Sequence, residues 1–288
     1  MLERTPFAAW LDRDVVALEG EESGSYLQGQ LSQDVLGIPE GASGWSWVLS
    51  PQGKVDALVR VTRLAGGRWL LDTDGGWGSK VVERLNRFKL RTKVTVEALE
   101  WSVLALRDEE GGKAPSPTGA DGIAHPVAAD PGWPGADGVD LMGSHLEVPD
   151  GWRLIDASAQ EAVRIALGIP RMGAELDERT MPGETGLVPR TVSFTKGCYT
   201  GQELVARVDS RGGNVPRRLA RLEPAGRVEP GSTLATADGD AAGVVTSAAV
   251  APDGGWVALG YLKRGVDVAS KLVSESSGEP VAVKGLVE

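Results

Sequence analysis

Apolar side chains recur at every second position over Val55, Ala57, Val59 and Val61, the period of a half-buried strand. The turn Ser50–Pro51–Gln52–Gly53 precedes this run and follows another strand pattern, Trp45–Ser46–Trp47–Val48–Leu49. Gly66–Gly67 then turns the chain into a partner strand, Trp69–Leu70–Leu71. Upstream, Val15–Val16–Ala17–Leu18 predicts a short strand. Beyond Gly20 the spacing changes: Tyr26, Leu27, Leu31 and Val35 share one helical face, with Ser23 or Ser25 as the cap. Val81, Val82, Leu85 and Phe88 predict a second helix that leads into a strand over Lys93–Val94–Thr95–Val96. This succession points to an α+β layer with a mainly antiparallel sheet.

From Asp108 to Gly151 the chain is rich in Gly, Pro and Ala, and its periodicity is too weak to define elements beyond short strands. A third helix is better marked. Ser158–Ala159–Gln160–Glu161 fits a capping box, Ala162, Ile165 and Ala166 form an apolar face, and Gly168 followed by Pro170 stops the helix. From about Pro216 onward, short β-rich runs are separated by turns: Leu219–Leu222, Thr233–Ala235, Gly243–Thr246, Val257–Leu262, Leu272–Val273 and Val281–Val283. Such spacing predicts a small barrel. The expected division is residues 1–213 as an α+β region, with room for two interleaved subdomains and a variable stretch over 108–151, and residues 214–288 as the barrel.

Composition narrows the class. Forty acidic residues against 30 basic ones give a formal net charge of −10, so the mean field repels polyanions and direct tight binding of nucleic acid is not expected. The N-terminus has no apolar core of signal-peptide length and no run approaches a bilayer span, which reads as cytoplasmic with no membrane partner. Cys198 is the one cysteine, so no intramolecular disulfide can form. His125 and His145 stand in Gly- and Pro-rich sequence without ligand spacing, and no metal site is expected.

The run with most chemistry is Lys196–Gly197–Cys198–Tyr199–Thr200–Gly201–Gln202–Glu203–Leu204–Val205–Ala206–Arg207. It sets the thiol between glycines that free the backbone. Lys196 and Arg207 are cations that favour thiolate if they fold near the sulfur. Gln202 supplies a donor and an acceptor, Glu203 an acceptor or proton relay, and Tyr199 a flat face with a hydroxyl. A lone cysteine is also a common small buried apolar residue, and spacing leaves both readings open.

This run resembles the Lys-Gly-Cys-Tyr-x-Gly-Gln-Glu signature of the YgfZ family, relatives of the glycine-cleavage T-protein. Tyr26–Leu27–Gln28–Gly29–Gln30–Leu31 with Asp34, Ser50–Pro51–Gln52–Gly53–Lys54, Arg164–Ile165 with Gly168–Ile169–Pro170, and Val245–Thr246–Ser247 resemble further family landmarks, in order from about Val15 to Leu262. The resemblance implies a T-protein-like multidomain body and a C-terminal barrel around a central folate-size opening. It implies tetrahydrofolate or a related folate as ligand, with Tyr26, Gln28, Gln30, Asp56, Tyr199 and Arg164 as candidate binding residues. For the anionic folate tail that the resemblance implies, the chain offers two cationic stretches: Arg84, Arg87, Lys89, Arg91 and Lys93, and Arg207, Arg211, Arg217, Arg218 and Arg221, the second broken only by Asp209.

Two departures bear on activity. The aminomethyl-transferring T-proteins carry an acidic pair after the glycine turn, where this chain reads Lys54–Val55–Asp56–Ala57–Leu58 with one acid. Their pterin-reading glutamate is replaced here by Ala166. The implied function is therefore a folate-binding accessory factor that supports iron–sulfur enzymes, tRNA-modifying ones among them, with iron–sulfur proteins or their assembly machinery as partners. Cys198, Lys196, Gln202, Glu203 and Arg207 would act. The alternative is a tetrahydrofolate-dependent one-carbon (aminomethyl) transferase or demethylase using Asp56, on a transferase-like fold. A cysteine redox sensor fits less well, since no resolving cysteine exists.

Overall fold

The structure, a computed structural model, describes residues 6–107 and 126–288; residues 108–125 of the variable stretch, His125 among them, lie outside the described residues. The chain forms two compact units. One combines residues 6–156 with Arg190–Gln202, and the other combines Ala157–Pro189 with Glu203–Glu288.

The first unit holds two five-stranded sheets. Its elements are β1 (Phe7–Leu11), β2 (Arg13–Glu19), α1 (Ser23–Gln30), β3 (Ser43–Leu49), β4 (Val55–Arg63), β5 (Trp69–Asp74), α2 (Gly78–Phe88), β6 (Thr95–Leu99), β7 (Ser102–Arg107), β8 (Val127–Ala129), β9 (Gly138–Gly143) and β10 (Arg153–Leu154). One sheet runs β3-β4-β5-β2-β6 and the other β10-β1-β7-β9-β8. Every pairing is antiparallel except β1 with β10. Val16, Leu18, Val59, Val61 and Leu71 pack with Leu27, Leu31 and Leu85 into one core. Their neighbours Val15, Ala17 and Leu70 face the other way and meet Val103 and Met142 of the second sheet. The unbroken apolar run of β2 is the signature of a strand covered on both sides.

The predicted first helix is shorter than its pattern. α1 ends at Gln30, and Leu31 is already extended (φ −109°, ψ 152°) and bridged to Val48. Leu31 and Val35 are buried all the same, through a turn rather than a helix. The Gln28 side chain closes that turn, accepting the Val35 N–H at 2.8 Å and donating to Asp34 at 2.8 Å. Neither serine caps α1 by its side chain: Glu22 is the N-cap, and the Ser25 hydroxyl donates to its carbonyl.

In the second unit, α3 (Ala157–Leu167) packs on the barrel. It begins before Ser158, and the Glu161 carboxylate takes two bonds from Arg164 at 2.7 and 2.8 Å, so the expected capping box gives way to an ion pair. Gly168, at φ +76°, ends α3 as expected. A short turn, α4 (Val188–Thr191), and α5 (Gln202–Ser210) follow. The barrel then closes in the order β11-β14-β13-β12-β15-β16, with β11 (Arg217–Pro224), β12 (Thr233–Thr236), β13 (Ala241–Val250), β14 (Trp256–Lys263), β15 (Leu272–Ser274) and β16 (Pro280–Leu286). Each of the six predicted runs lies in one of these strands, and Leu222, Leu234, Val245, Ala258 and Leu262 fill the interior. The architecture is α+β with antiparallel sheets and a closed C-terminal barrel, as the pattern predicted. No helix among the described residues is long and apolar enough to cross a membrane.

Candidate functional site

The segment from Lys196 to Gln202 lies against the end of α1 and the turn between β3 and β4. Lys196 holds it there: its ammonium donates to the carbonyls of Gln28, Leu31 (2.6 Å) and Gln33 (3.0 Å). These are carbonyls released where α1 stops and the chain turns, so the cation takes the place of missing helical donors. Burial pushes the Lys196 amine down to about 8, with Asp34 acting the other way. The ammonium also sits 5.0 Å from the Tyr199 ring centroid. Lys196 is thus engaged with main-chain oxygens.

Two further contacts seat the loop. The Thr200 N–H donates to the Gly29 carbonyl at 3.3 Å. At Gly201 (φ +82°) a Cβ would stand 2.5 Å from the Ser50 carbonyl oxygen and 2.9 Å from the Leu49 Cβ, so only glycine lets the two segments close. Gly197 differs: nothing lies within 4 Å of a Cβ there. Cys198 itself is exposed. The reading of it as a small buried apolar residue is thereby removed.

Gln202, the first residue of α5, accepts the Tyr199 N–H through its side-chain oxygen at 3.2 Å while its own N–H donates to the Tyr199 carbonyl at 3.3 Å. This reciprocal pair fixes the exit from the loop. Tyr199 is buried, and burial raises its hydroxyl to about 12, so its ring belongs to the loop's footing.

The same region brings in Asp56. Arg84 of α2 reaches its carboxylate at 3.2 Å, the Gln30 side-chain oxygen at 3.2 Å and the Leu49 carbonyl at 3.0 Å, with its guanidinium 3.9 Å from the Phe88 ring. Burial raises the Asp56 carboxyl above its ordinary value, and Arg84 opposes that rise. Ala57, on the other side of the strand, is buried in the core. Asp56 is half-buried and is the acid of this strand end. The importance of Arg84 to Asp56 left no trace in sequence, because 28 positions separate them.

The remaining candidates are held differently. Tyr26 points into the core and its hydroxyl donates to the Leu85 carbonyl. Glu203, Arg207 and Arg164 belong to the second unit. Glu203 and Arg207 are exposed on α5, with no ion pair among the described residues. Arg164 is buried, bonded to Glu161, to Glu175 at 3.0 Å and to Ser247 at 2.9 Å, and the Ser247 hydroxyl donates to Glu175 at 2.6 Å.

No family model matches the chain. The iron–sulfur cluster assembly factor IBA57 of Mus musculus is 32% identical over 264 residues, which cover 80% of this chain and 71% of that protein. The chain belongs to the YgfZ family, which includes IBA57. A tRNA-modifying protein YgfZ from Photobacterium profundum is 28% identical over 216 residues, 70% of this chain and 65% of that relative. In three dimensions the chain resembles the glycine cleavage system aminomethyltransferase T of Bartonella henselae, with a TM-score of 0.81 at 20% identity, covering 99% of this chain and 86% of that one. That likeness is one of fold.

Proposed function

We propose that this YgfZ-family protein is a folate-binding accessory factor for the assembly or maintenance of iron–sulfur enzymes, tRNA-modifying enzymes included, and that Cys198 is its point of engagement. The observation that carries the proposal is the exposed thiol on a loop anchored by Lys196, Thr200 and Gly201. A thiol meant only to pack is turned inward; one held out on a fixed backbone is placed for a partner. The roles named for the mouse and Photobacterium relatives support the same reading. Among the described residues no three His, Cys, Asp or Glu side chains gather as a metal set. An iron–sulfur species met by Cys198 takes its other ligands from a second protein or a small thiol.

A reduced folate suits Asp56, a half-buried carboxylate that accepts an N–H while Arg84 steadies its charge. Gln30, beside it, would share in holding the ring. The donor set fits one end of such a ligand with a single carboxylate. The same acid favours the second reading, a one-carbon transferase acting on an amine, since raised proton affinity suits a group that exchanges a proton.

Complementation separates the readings. In cells lacking the protein, Cys198→Ser is expected to abolish support of iron–sulfur enzyme activity, with unchanged folding and folate affinity. Asp56→Asn is expected to lower folate affinity in calorimetry. Full rescue by Cys198→Ser together with loss of function in Asp56→Asn would transfer the role to the transferase reading.

A further inference from the structure

We propose that the barrel-bearing unit contains a binding site for an apolar α-amino acid, with the side chain in a preformed cavity and the amino and carboxylate groups held at its rim. The cavity measures about 450 Å³, within the range of about 300–1,000 Å³ typical of small-ligand sites. Its walls come from one unit: Met181 and Val188, Leu204 and Val208 of α5, Leu219 of β11, and Leu286. Close-packed interiors hold few voids wider than a water molecule, so a hollow of this size is a feature of the fold. The wall is also fixed. The Val287 N–H donates to the Leu219 carbonyl at 3.0 Å, and a Cβ at Gly186 would lie 1.8 Å from the Val287 carbonyl oxygen, so a glycine there lets the last strand close the cavity.

The rim sets the ligand class. Three charged residues line the cavity, Arg218, Asp209 and Glu288, and Glu288 has an interaction of its own; Arg218 and Asp209 are exposed, and neither makes an ion pair or a side-chain hydrogen bond among the described residues, including with each other. An unengaged guanidinium presents a planar fork that matches a carboxylate. An unengaged carboxylate accepts an ammonium. Separate, unpaired groups of opposite sign around an apolar hollow match a zwitterion with an apolar tail. An amphiphile of one sign meets its partner at one side and a like charge at the other. The site uses none of the residues of the Cys198 loop or of the Asp56–Arg84 pair.

The test uses full-length protein carrying carbon-13 methyl methionine. Met181 lines the cavity, Met142 and Met172 do not, and Met181→Leu identifies its signal. The probes are L-leucine, L-phenylalanine, 3-phenylpropionate and phenethylamine. Saturable movement of the Met181 signal is expected with the two amino acids, with the Met142 and Met172 signals still. Affinity is expected to fall about tenfold or more for each probe that lacks one charged group, and about tenfold in Arg218→Gln and Asp209→Asn. Both variants change exposed side chains, so the fold is retained. No movement of the Met181 signal up to the solubility of the amino acids would overturn the proposal. Equal binding of all the probes, or undiminished binding in both variants, would also overturn it.

Discussion

Arg60 in the first unit and Arg164 in the second each hold two carboxylates, yet the carboxylates around Arg164 are the more open to water. Arg60 and Asp72 have fully buried side chains and meet in a bidentate pair at 2.9 and 3.1 Å, while Asp140, 5% exposed, closes the other side at 2.5 Å. Burial works against the Arg60 charge, but the two carboxylates outweigh it and hold the proton more firmly than usual. Arg13 and Arg107 join from the edges, on Asp72 and Asp140. Arg164 is bonded just as densely, and its partner Glu175 is fully buried, but Glu161 is 27% exposed. The first cluster ties together strands of two sheets, β4 and β5 with β9; the second pins α3 to residues of its own unit. A charge sealed from water depends on every partner, whereas one beside an exposed carboxylate keeps a share of its hydration.

The largest expected effect sharpens that contrast. Arg60→Met leaves Asp72 and Asp140 facing each other's charge without their common cation, and removing one partner of a buried pair costs about 3–5 kcal/mol. Arg164→Met should cost less, about 2 kcal/mol, because Glu161 can turn to water and the Ser247 hydroxyl still serves Glu175. Urea unfolding followed by tryptophan fluorescence measures both, with Trp45 lying beside the Arg60 guanidinium. Equal losses would mean that the exposure of Glu161 contributes nothing.

These arginines also show what can be read from a chain. The alternation Val59–Arg60–Val61 assigns Arg60 to the face opposite the core residues, and that assignment is correct. It cannot tell whether that face is wet, because the cover is a second sheet built largely from β1, β7 and β9, and β9 falls in the stretch poor in periodicity. Arg164 was legible as part of a motif, but its partners Glu175 and Ser247 lie 11 and 83 positions away. The barrel strands were legible because turns separate runs that each occupy one strand. In the cysteine loop the residues were visible and their geometry was not: that Lys196 grips carbonyls 163 to 168 positions distant is a product of the fold.

Lys196 extends the comparison to a cation whose hydrogen bonds all go to carbonyls. Peptide oxygens without a donor can be reached by water as the loop lifts, so its removal should cost less than that of Arg60. Lys196→Met is expected to lower stability by about 1–2 kcal/mol and to speed amide hydrogen exchange over Lys196–Thr200, while exchange in β4 and β5 stays unchanged. Uniformly faster exchange across the unit would show that Lys196 supports the whole sheet rather than the cysteine loop.

The Asp56–Arg84 pair is the least buried of these contacts, and its effect is read best against pH. Asp56 is 31% exposed at its side chain, and burial still outweighs Arg84 in raising its carboxyl above the ordinary value. A raised folded-state value means that the native state holds a proton that the unfolded chain has released. The resulting stabilisation is complete below the unfolded value near 3.8 and is lost as pH rises through the folded one. Removing the titrating group by Asp56→Asn should therefore make stability rise slightly more steeply with pH over that window than in the parent protein, since the parent carries this opposing contribution. Matched urea midpoints of the two proteins from pH 3.5 upward isolate the difference from the other carboxylates. A parent curve that rises more steeply than that of Asp56→Asn would show instead that Arg84 governs the carboxylate and that the pair behaves as a small version of the sealed cluster around Arg60.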